Sequence, residues 1–556
     1  MLLLVSAITF FVAFTGRDTN PGTATQPFAT VARAQQAARR AGPDARIVLR
    51  SGTYFLNDTL RFDARDSGHT YEAAPGETVV LSGGQRVTGW RKAGDIWEAP
   101  LRRDTPIRDL YVNGRRAMRA RSPNTGFHTG LQSADGITIT FPPGLLAQWS
   151  NLDDVELVTI VEWTTAHMPL RGATVDLEKN QIRFPRVALT FFDMDWAGHI
   201  RANAPHFMYH FENAPEMLDA DGEWYFDRTR GAIRYRGPQP TEAIATRLEQ
   251  LLTVDGATNL TFRDITFAHT DWRLPAEGFL PVQTGVTVGM QNEALIHDKS
   301  APAAIRFIRA VNCRIENCRL KQLGATALSV EAGSQGNQIT GNLIEDVGGN
   351  GIQLGEINSI LPKPAELVKN NTIAHNTVRR CGVTLRGTAG IFVALAEGTV
   401  VAYNEVSDLP YSGITIGWRW DRQPTQAKRN RVEFNHVHHV AQLLADGGGI
   451  YTIGYQLDSV LRGNLMHDIV RQSGFAPVNG LFMDNGTSGW LIESNASYNI
   501  PEGGYRYNNT GPETGQTGPQ YQPLGENFFD IGPGPDRVPP EIRQKAGPQL
   551  PGKCRD

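Results

Sequence analysis

Cysteine is scarce in this chain and scattered. Four occur in 556 residues, Cys313, Cys318, Cys381 and Cys554, and none has a neighbour at metal-chelating spacing. They read as structural thiols, with a Cys313 to Cys318 disulfide left open because spacing does not show whether two side chains face each other. A charge of one sign is also missing: 54 basic residues against 57 acidic leave a net charge of −3, which gives no field to gather a polyanion. Nucleic acid is therefore not an expected partner. Long amphipathic helical runs are absent beyond one short segment, and the apolar opening MLLLVSAITFFVAF is too short to cross a bilayer as a helix. Membrane insertion is not expected. That opening lacks a basic start and a small-residue cleavage site, so it reads as a partial export signal over residues 1–9 whose second half is shared with the folded domain. A secreted or periplasmic protein is the expectation.

What the chain has in quantity is turn formers, with 57 glycines and 33 prolines, and a repeat. Cys318, Asn342, Asn376, Asn404, Asn435, Asn464 and Asn495 recur 24 to 34 residues apart in one local pattern. An apolar residue stands three positions before each (Ile315, Ile339, Ile373, Val401, Val432, Leu461, Ile492). Another stands two positions after in all but the last (Leu320, Ile344, Val378, Val406, Val437, Met466, then Ser497). An amide placed once per coil can bond to the same amide on the next coil while the flanking aliphatics stack into a continuous core. The chain is therefore expected to be an all-β parallel β-helix.

Along its length, residues 10–123 read as an N-terminal cap with early coils, including a helix candidate from Ala29 to Ala41 capped by Thr30. Residues 124–250 lose the period and read as an inserted β-rich subdomain. NLTFRDITF restarts the coils, with Phe262 and Phe267 spaced like the later inward pair, and 251–500 is expected to be the main solenoid of about eight coils. Residues 501–556, rich in Gly, Pro and Gln, read as an irregular tail. After each ladder position a second strand opens with Gly or Ala: ALSVE, GIQLGE, GIFVALAE, GITIGW, GGIYTIG, GLFMDNG. Residues between its aliphatics point away from the core, which makes that face a display surface.

On the display surface of the late coils gather Tyr411, Trp418, Arg419, Trp420, Asp446, Tyr451, Phe482, Asp484 and Asn485. Flat rings suit the C–H faces of sugars, and Arg, Asn and Asp bond hydroxyls, so carbohydrate is the expected ligand. Asp446 in ADGGGIY and Asp484 in FMDNG lie one coil apart. Two neighbouring carboxylates are the inventory that glycosidic hydrolysis requires. Glu356, Glu397 and Glu405 are outward acids with fewer aromatic neighbours and read as solvated. The run NHVHHV brings His436, His438 and His439 together with His467 one coil on. Adjacent strand residues point to opposite faces and cannot all meet one ion, so no metal and no cofactor are expected.

The segments FFVAFTGRDTNPGTATQPFATVARA, IVLRSGTYFLNDTLRF, YVNGRRAMRARSPN, GEWYFD, PYSGITIGW, ADGGGIYTIG and LFMDNGTSGWLIESN resemble glycoside hydrolase family 141 over about residues 10 to 500. The resemblance implies a right-handed parallel β-helix acting on plant or algal polysaccharide, with α-L-fucosidase and xylanase activities both represented. It implies Asp446 and Asp484 as the acidic pair; Tyr411, Trp418, Arg419, Trp420, Tyr451, Phe482 and Asn485 are, from their clustering beside that pair, the residues expected to hold sugar. Two other readings stay open. A polysaccharide lyase would use Arg419, Arg422 or Lys428 as base, often with calcium, though no acid cluster suited to calcium is present. A non-catalytic carbohydrate-binding rod would need the aromatics and not the carboxylates. Oligomeric state is not read from the sequence.

Overall fold

The computed structural model describes residues 8–102, 106–133, 135–185, 207–291, 294–358, 361–508 and 525–549; side chains are described outside 288–299. Three long parallel sheets run the length of the molecule, with eleven strands in the first and ten in each of the others. Each coil contributes one strand to each sheet, which is the right-handed parallel β-helix. Eleven strands at roughly 4.8 Å spacing make a body about 50 Å long.

The amide ladder forms at the corner between the first and second sheets. Asn376 donates through its backbone N–H and its Nδ2 to Asn404 Oδ1 at 3.0 and 2.9 Å, and the same pair of bonds links Asn342 to Asn376, Asn404 to Asn435, Asn435 to Asn464 and Asn464 to Asn495. Inside, Ile315, Ile339, Ile373, Val401, Val432, Leu461 and Ile492 lie in register along the first sheet. Leu320 through Met466 do the same along the second. Five residues before the first ladder runs another, in which Cys313 N–H bonds Asn337, Asn337 bonds Asn371, and Asn430 N–H bonds Ser459. Cys313, Cys318 and Cys381 are buried free thiols, so no disulfide joins the first two, which sit on separate ladders. Cys554 lies outside the described residues.

Glycine at the start of the third-sheet strands has a packing cause. A Cβ on Gly351, Gly413 or Gly480 would come within 2.5 to 2.6 Å of the carbonyl oxygen of Gly390, Gly449 or Gly504 on the next coil. The repeated Gly therefore permits the coils to stack at strand spacing.

The first coil already includes Thr9–Val12, paired in parallel with Arg46–Leu49. Helix Val31–Ala41 follows, with Thr30 accepting from Arg33 N–H and Ala34, Ala37 and Ala38 buried against the coil end. The boundaries expected at 124 and 501 move. After Val79–Ser82 the chain leaves the coils at Gly84–Arg86 and builds four mainly antiparallel sheets before rejoining at Leu252–Asp255, which pairs with both Leu60–Phe62 and Ala303–Ile308. Strands Ile96–Pro100, Leu110–Val112 and Arg115–Arg116, all before 124, belong to the excursion because their partners are antiparallel. At the other end Tyr505–Tyr507 is the last strand of the third sheet, and Asn495 bonds Asn527 Oδ1 at 2.9 and 3.0 Å, so a coil continues into the expected tail. A second excursion, Pro281–Gln283, Val286–Gln291 and Ala294–Ser300, forms a three-stranded antiparallel sheet.

Asn404→Ala would strip the acceptor from both donors of Asn376 and the donor from Ile373 O, all inside the wall. Each buried group left unpaired costs about 1–3 kcal/mol. A substantially lower thermal midpoint with unchanged length of the solenoid, checked by calorimetry and small-angle scattering, is the expected outcome.

Candidate active site

The outer row of the third sheet reads Arg306, Ser329, Gln353, Phe392, Thr415, Tyr451, Phe482, Arg506 from coil to coil. It turns from polar to aromatic where the last coils carry the two aspartates. Asp446 precedes strand Gly447–Thr452, and Asp484 follows strand Val478–Met483. The register puts Gly447 beside Val478 and Thr452 beside Met483, so the two acids enter from opposite ends of adjacent strands. The Tyr451 hydroxyl donates to Asp484 Oδ2 at 2.5 Å, and the charges of both Asp446 and Asp484 act on the Tyr411 and Tyr451 hydroxyls that lie between them.

The environments of the two acids differ. Asp484 is buried at 6% exposure, while Asp446 is half-buried in a left-handed conformation at φ 55°. Burial pushes the Asp484 carboxyl above its ordinary value, although Tyr451, the Asn485 backbone and Asn508 Nδ2, which donates to Oδ1 at 2.8 Å, partly favour the anion. Gly486 at φ 73° turns the chain just beyond; a Cβ there would collide with the Asp421 backbone.

The expected aromatic platform is a floor instead. Tyr411, Trp418, Tyr451 and Phe482 are all at most 2% exposed. Tyr411 packs with Ile160 and Leu444 and bonds Gln283 and the Asp446 carbonyl; Trp418 packs among Val282, Val286 and Phe392. The outward face is display surface only where nothing covers it, and here both excursions do. Trp420 is half-buried, edge-on to Trp418 at 5.1 Å and against Tyr451 and Phe482. Arg419 is held by Asp421, its Nε donating at 2.8 Å, and the Asn485 carbonyl accepts from Gly454 N–H. Of the residues expected to contact sugar, Trp420, Arg419 and Asn485 keep partial exposure.

Glu162 was not legible as part of this region. It sits at the tip between strands Glu156–Val161 and Thr164–Pro169 of the first excursion. Its carbonyl accepts from Ala445 N–H at 2.7 Å, one residue before Asp446, and its carboxylate accepts from Phe475 and Ala476 N–H at 3.2 to 3.3 Å. Trp163 Nε1 donates to Val282 O at 2.8 Å. The hairpin thus pins two corner loops of the late coils, and no periodic signal connects residue 162 with 445 or 475. Its base is held by Arg108, which donates to Glu156 and Glu212 at 2.8 and 3.0 Å, with Arg119 bonded to both carboxylates. Burial opposes the charge on Glu156, but the two guanidinium groups win and hold it down at about 2.

Residues 94–238 match the insertion domain of glycoside hydrolase family 141, and residues 252–420 and 303–514 match the right-handed β-helix region. A solved structure named a glycoside hydrolase superposes with a TM-score of 0.83 at 25% identity, covering 98% of this chain and 99% of that one. The chain is a glycoside hydrolase that carries the insertion domain of family 141 on a right-handed β-helix. Two other structures align at lower similarity: XylC with xylose (TM-score 0.47, 14% identity, 90% of this chain and 86% of that one) and the GH136 lacto-N-biosidase from Eubacterium ramulus (TM-score 0.43, 12% identity, 93% and 67%). No curated protein sequence matches the chain. The first excursion is the part of this hydrolase that matches the family 141 insertion domain, and its tip at Glu162 bonds the loop that precedes Asp446.

Asp484 is raised in the fold, so its anion destabilises the native state, an effect absent below the unfolded carboxylate value and growing as pH rises through the folded one. Asp484→Asn in this hydrolase is therefore expected to melt above the parent at pH 7, the gap closing as pH falls toward about 4. Paired calorimetry across pH checks this.

Proposed function

We propose that this hydrolase cleaves glycosidic bonds of plant or algal polysaccharide or its oligosaccharides with Asp484 as general acid and Asp446 as the carboxylate that activates water or attacks the anomeric carbon. The observation that carries the reading is the asymmetry of the pair. One carboxyl is buried and shifted toward its protonated form, the other is half-exposed, and the charges of both act on the same two tyrosines. A buried carboxyl held toward its protonated form, with a second, half-exposed carboxyl nearby, suits proton donation to a leaving oxygen and charge stabilisation at the sugar. Tyr451 and Asn508 aim the Asp484 carboxyl, and Trp420 offers a partly exposed ring edge beside it.

Substrates of the α-L-fucoside and xylan classes are the first to assay. A polymer too large to enter a cell places the work outside the cytoplasm, in keeping with an exported protein; no described helix is long and apolar enough to cross a membrane. The lyase alternative loses ground because Arg419, one of its candidate bases, is engaged by Asp421.

Asp446→Asn and Asp484→Asn are each expected to lower kcat by about 10²- to 10⁴-fold with folding intact. Parent-like turnover in both variants would end the proposal, and a product absorbing in the ultraviolet would assign a lyase. Tyr451→Phe removes a bond that favours the Asp484 anion, so the basic limb of the pH–rate profile should move to higher pH by about one unit. A limb that stays in place would take the acid role from Asp484.

A further inference from the structure

On the second sheet, away from the candidate active site, three successive coils carry a different cluster. Strands Glu405–Ser407, His436–His438 and Leu465–His467 pair in parallel, with Glu405 beside His436 and His438 beside His467. Val437 points into the core at 0% exposure, so His436 and His438 on either side of it share the outer face. His439 follows at φ 51°, and that left-handed turn brings its Nδ1 to 2.8 Å from His438 Nδ1. His436 Nε2 lies 2.7 Å from His467 Nε2, and His438 Nε2 lies 3.5 Å from Glu405 Oε1. One donor atom from each of Glu405, His436 and His438 falls within 4.8 Å of the others.

We propose that Glu405, His436 and His438 bind a divalent transition metal, with zinc the best match. Imidazole with one carboxylate is a donor set for zinc and its neighbours, whereas calcium and magnesium demand more oxygen. A tetrahedral ion with bonds of about 2.0 to 2.1 Å separates its donor atoms by about 3.3 Å. The His438 Nε2 to Glu405 Oε1 spacing of 3.5 Å lies close to that value. The surrounding bonds hold the rings. Asp468 Oδ2 is 2.6 Å from His467 Nδ1, and His467 Nε2 is 2.7 Å from His436 Nε2, so a chain of polar contacts orients His436 as second partners orient metal-bound histidines. His439 occupies His438 Nδ1 in the same way. Arg379, beside Ser407 on the preceding strand, donates to Glu345 at 3.0 and 3.1 Å instead of to Glu405. Glu405 and His438 keep 36% and 17% side-chain exposure, so an ion can enter from solvent.

The position defines the role. Helix Pro540–Lys545 docks through Val538 and Ile542 on Leu465, Ala496 and Tyr498 of the same face, and a Cβ on Gly547 would lie 3.4 Å from His436. An ion here ties the histidine coil and the glutamate coil together beside that clasp, on a different sheet from Asp446 and Asp484. It is a stabilising clip and takes no part in hydrolysis.

Full-length protein stripped with chelator and titrated with Zn²⁺ should bind one ion per chain and melt at a higher temperature; Co²⁺ should give the visible spectrum of a tetrahedral site. His438→Ala and the milder Glu405→Gln should each lose this binding while keeping the circular dichroism of the parent. Asp468→Asn should weaken affinity by roughly 10- to 100-fold at the same stoichiometry. Parent-like Zn²⁺ affinity in either His438→Ala or Glu405→Gln, or no saturable binding by the parent, would overturn the proposal.

Discussion

The constraint on which everything else rests is the registration of one coil on the next. A parallel strand pair tolerates no slip of one residue, because such a slip turns every inward aliphatic outward. The amide ladder enforces that registration by a hydrogen-bond pair at each step, running through Asn342, Asn376, Asn404, Asn435, Asn464 and Asn495 to Asn527. An amide fits the corner because it is donor and acceptor at once, so each member satisfies its neighbours above and below within a dry wall. The glycine column on the opposite corner acts by absence, letting carbonyls approach where any side chain would intrude.

Registration also explains how distant residues become functional neighbours. Asp446 and Asp484 share a face because the two strands beside them stack, and Glu405, His436 and His467 do so on another face for the same reason. A solenoid wall is thus a set of columns, each able to gather one kind of chemistry. Its weakness as an active site is flatness. The two excursions supply relief, and the hairpin tip at Glu162 and Trp163 fastens the insertion to the loops that flank the acids.

Much of the fold was legible because its signal repeats. The apolar positions flanking each ladder residue, the Thr30 cap and the Phe262 and Phe267 restart all appear in the structure where periodicity and capping chemistry put them. The site was legible in part. Both aspartates lie where strands of the third sheet meet their corners, yet Tyr411, Trp418, Tyr451 and Phe482 are buried and offer no open ring face. An outward-pointing aromatic reads the same in sequence whether water or another layer of protein lies above it. The histidines show the converse: reading NHVHHV as alternating strand residues was right for Val437, but it did not include the left-handed turn at His439 or the partner coils.

What the amino-acid order determined by itself was the coil, since inward and outward positions and ladder amides are local choices repeated at each turn. Tertiary structure alone decided which outward columns are covered, where the insertion lands, and how strongly Asp484 holds its proton. Those properties depend on what approaches from far along the chain, and no local pattern carries that information.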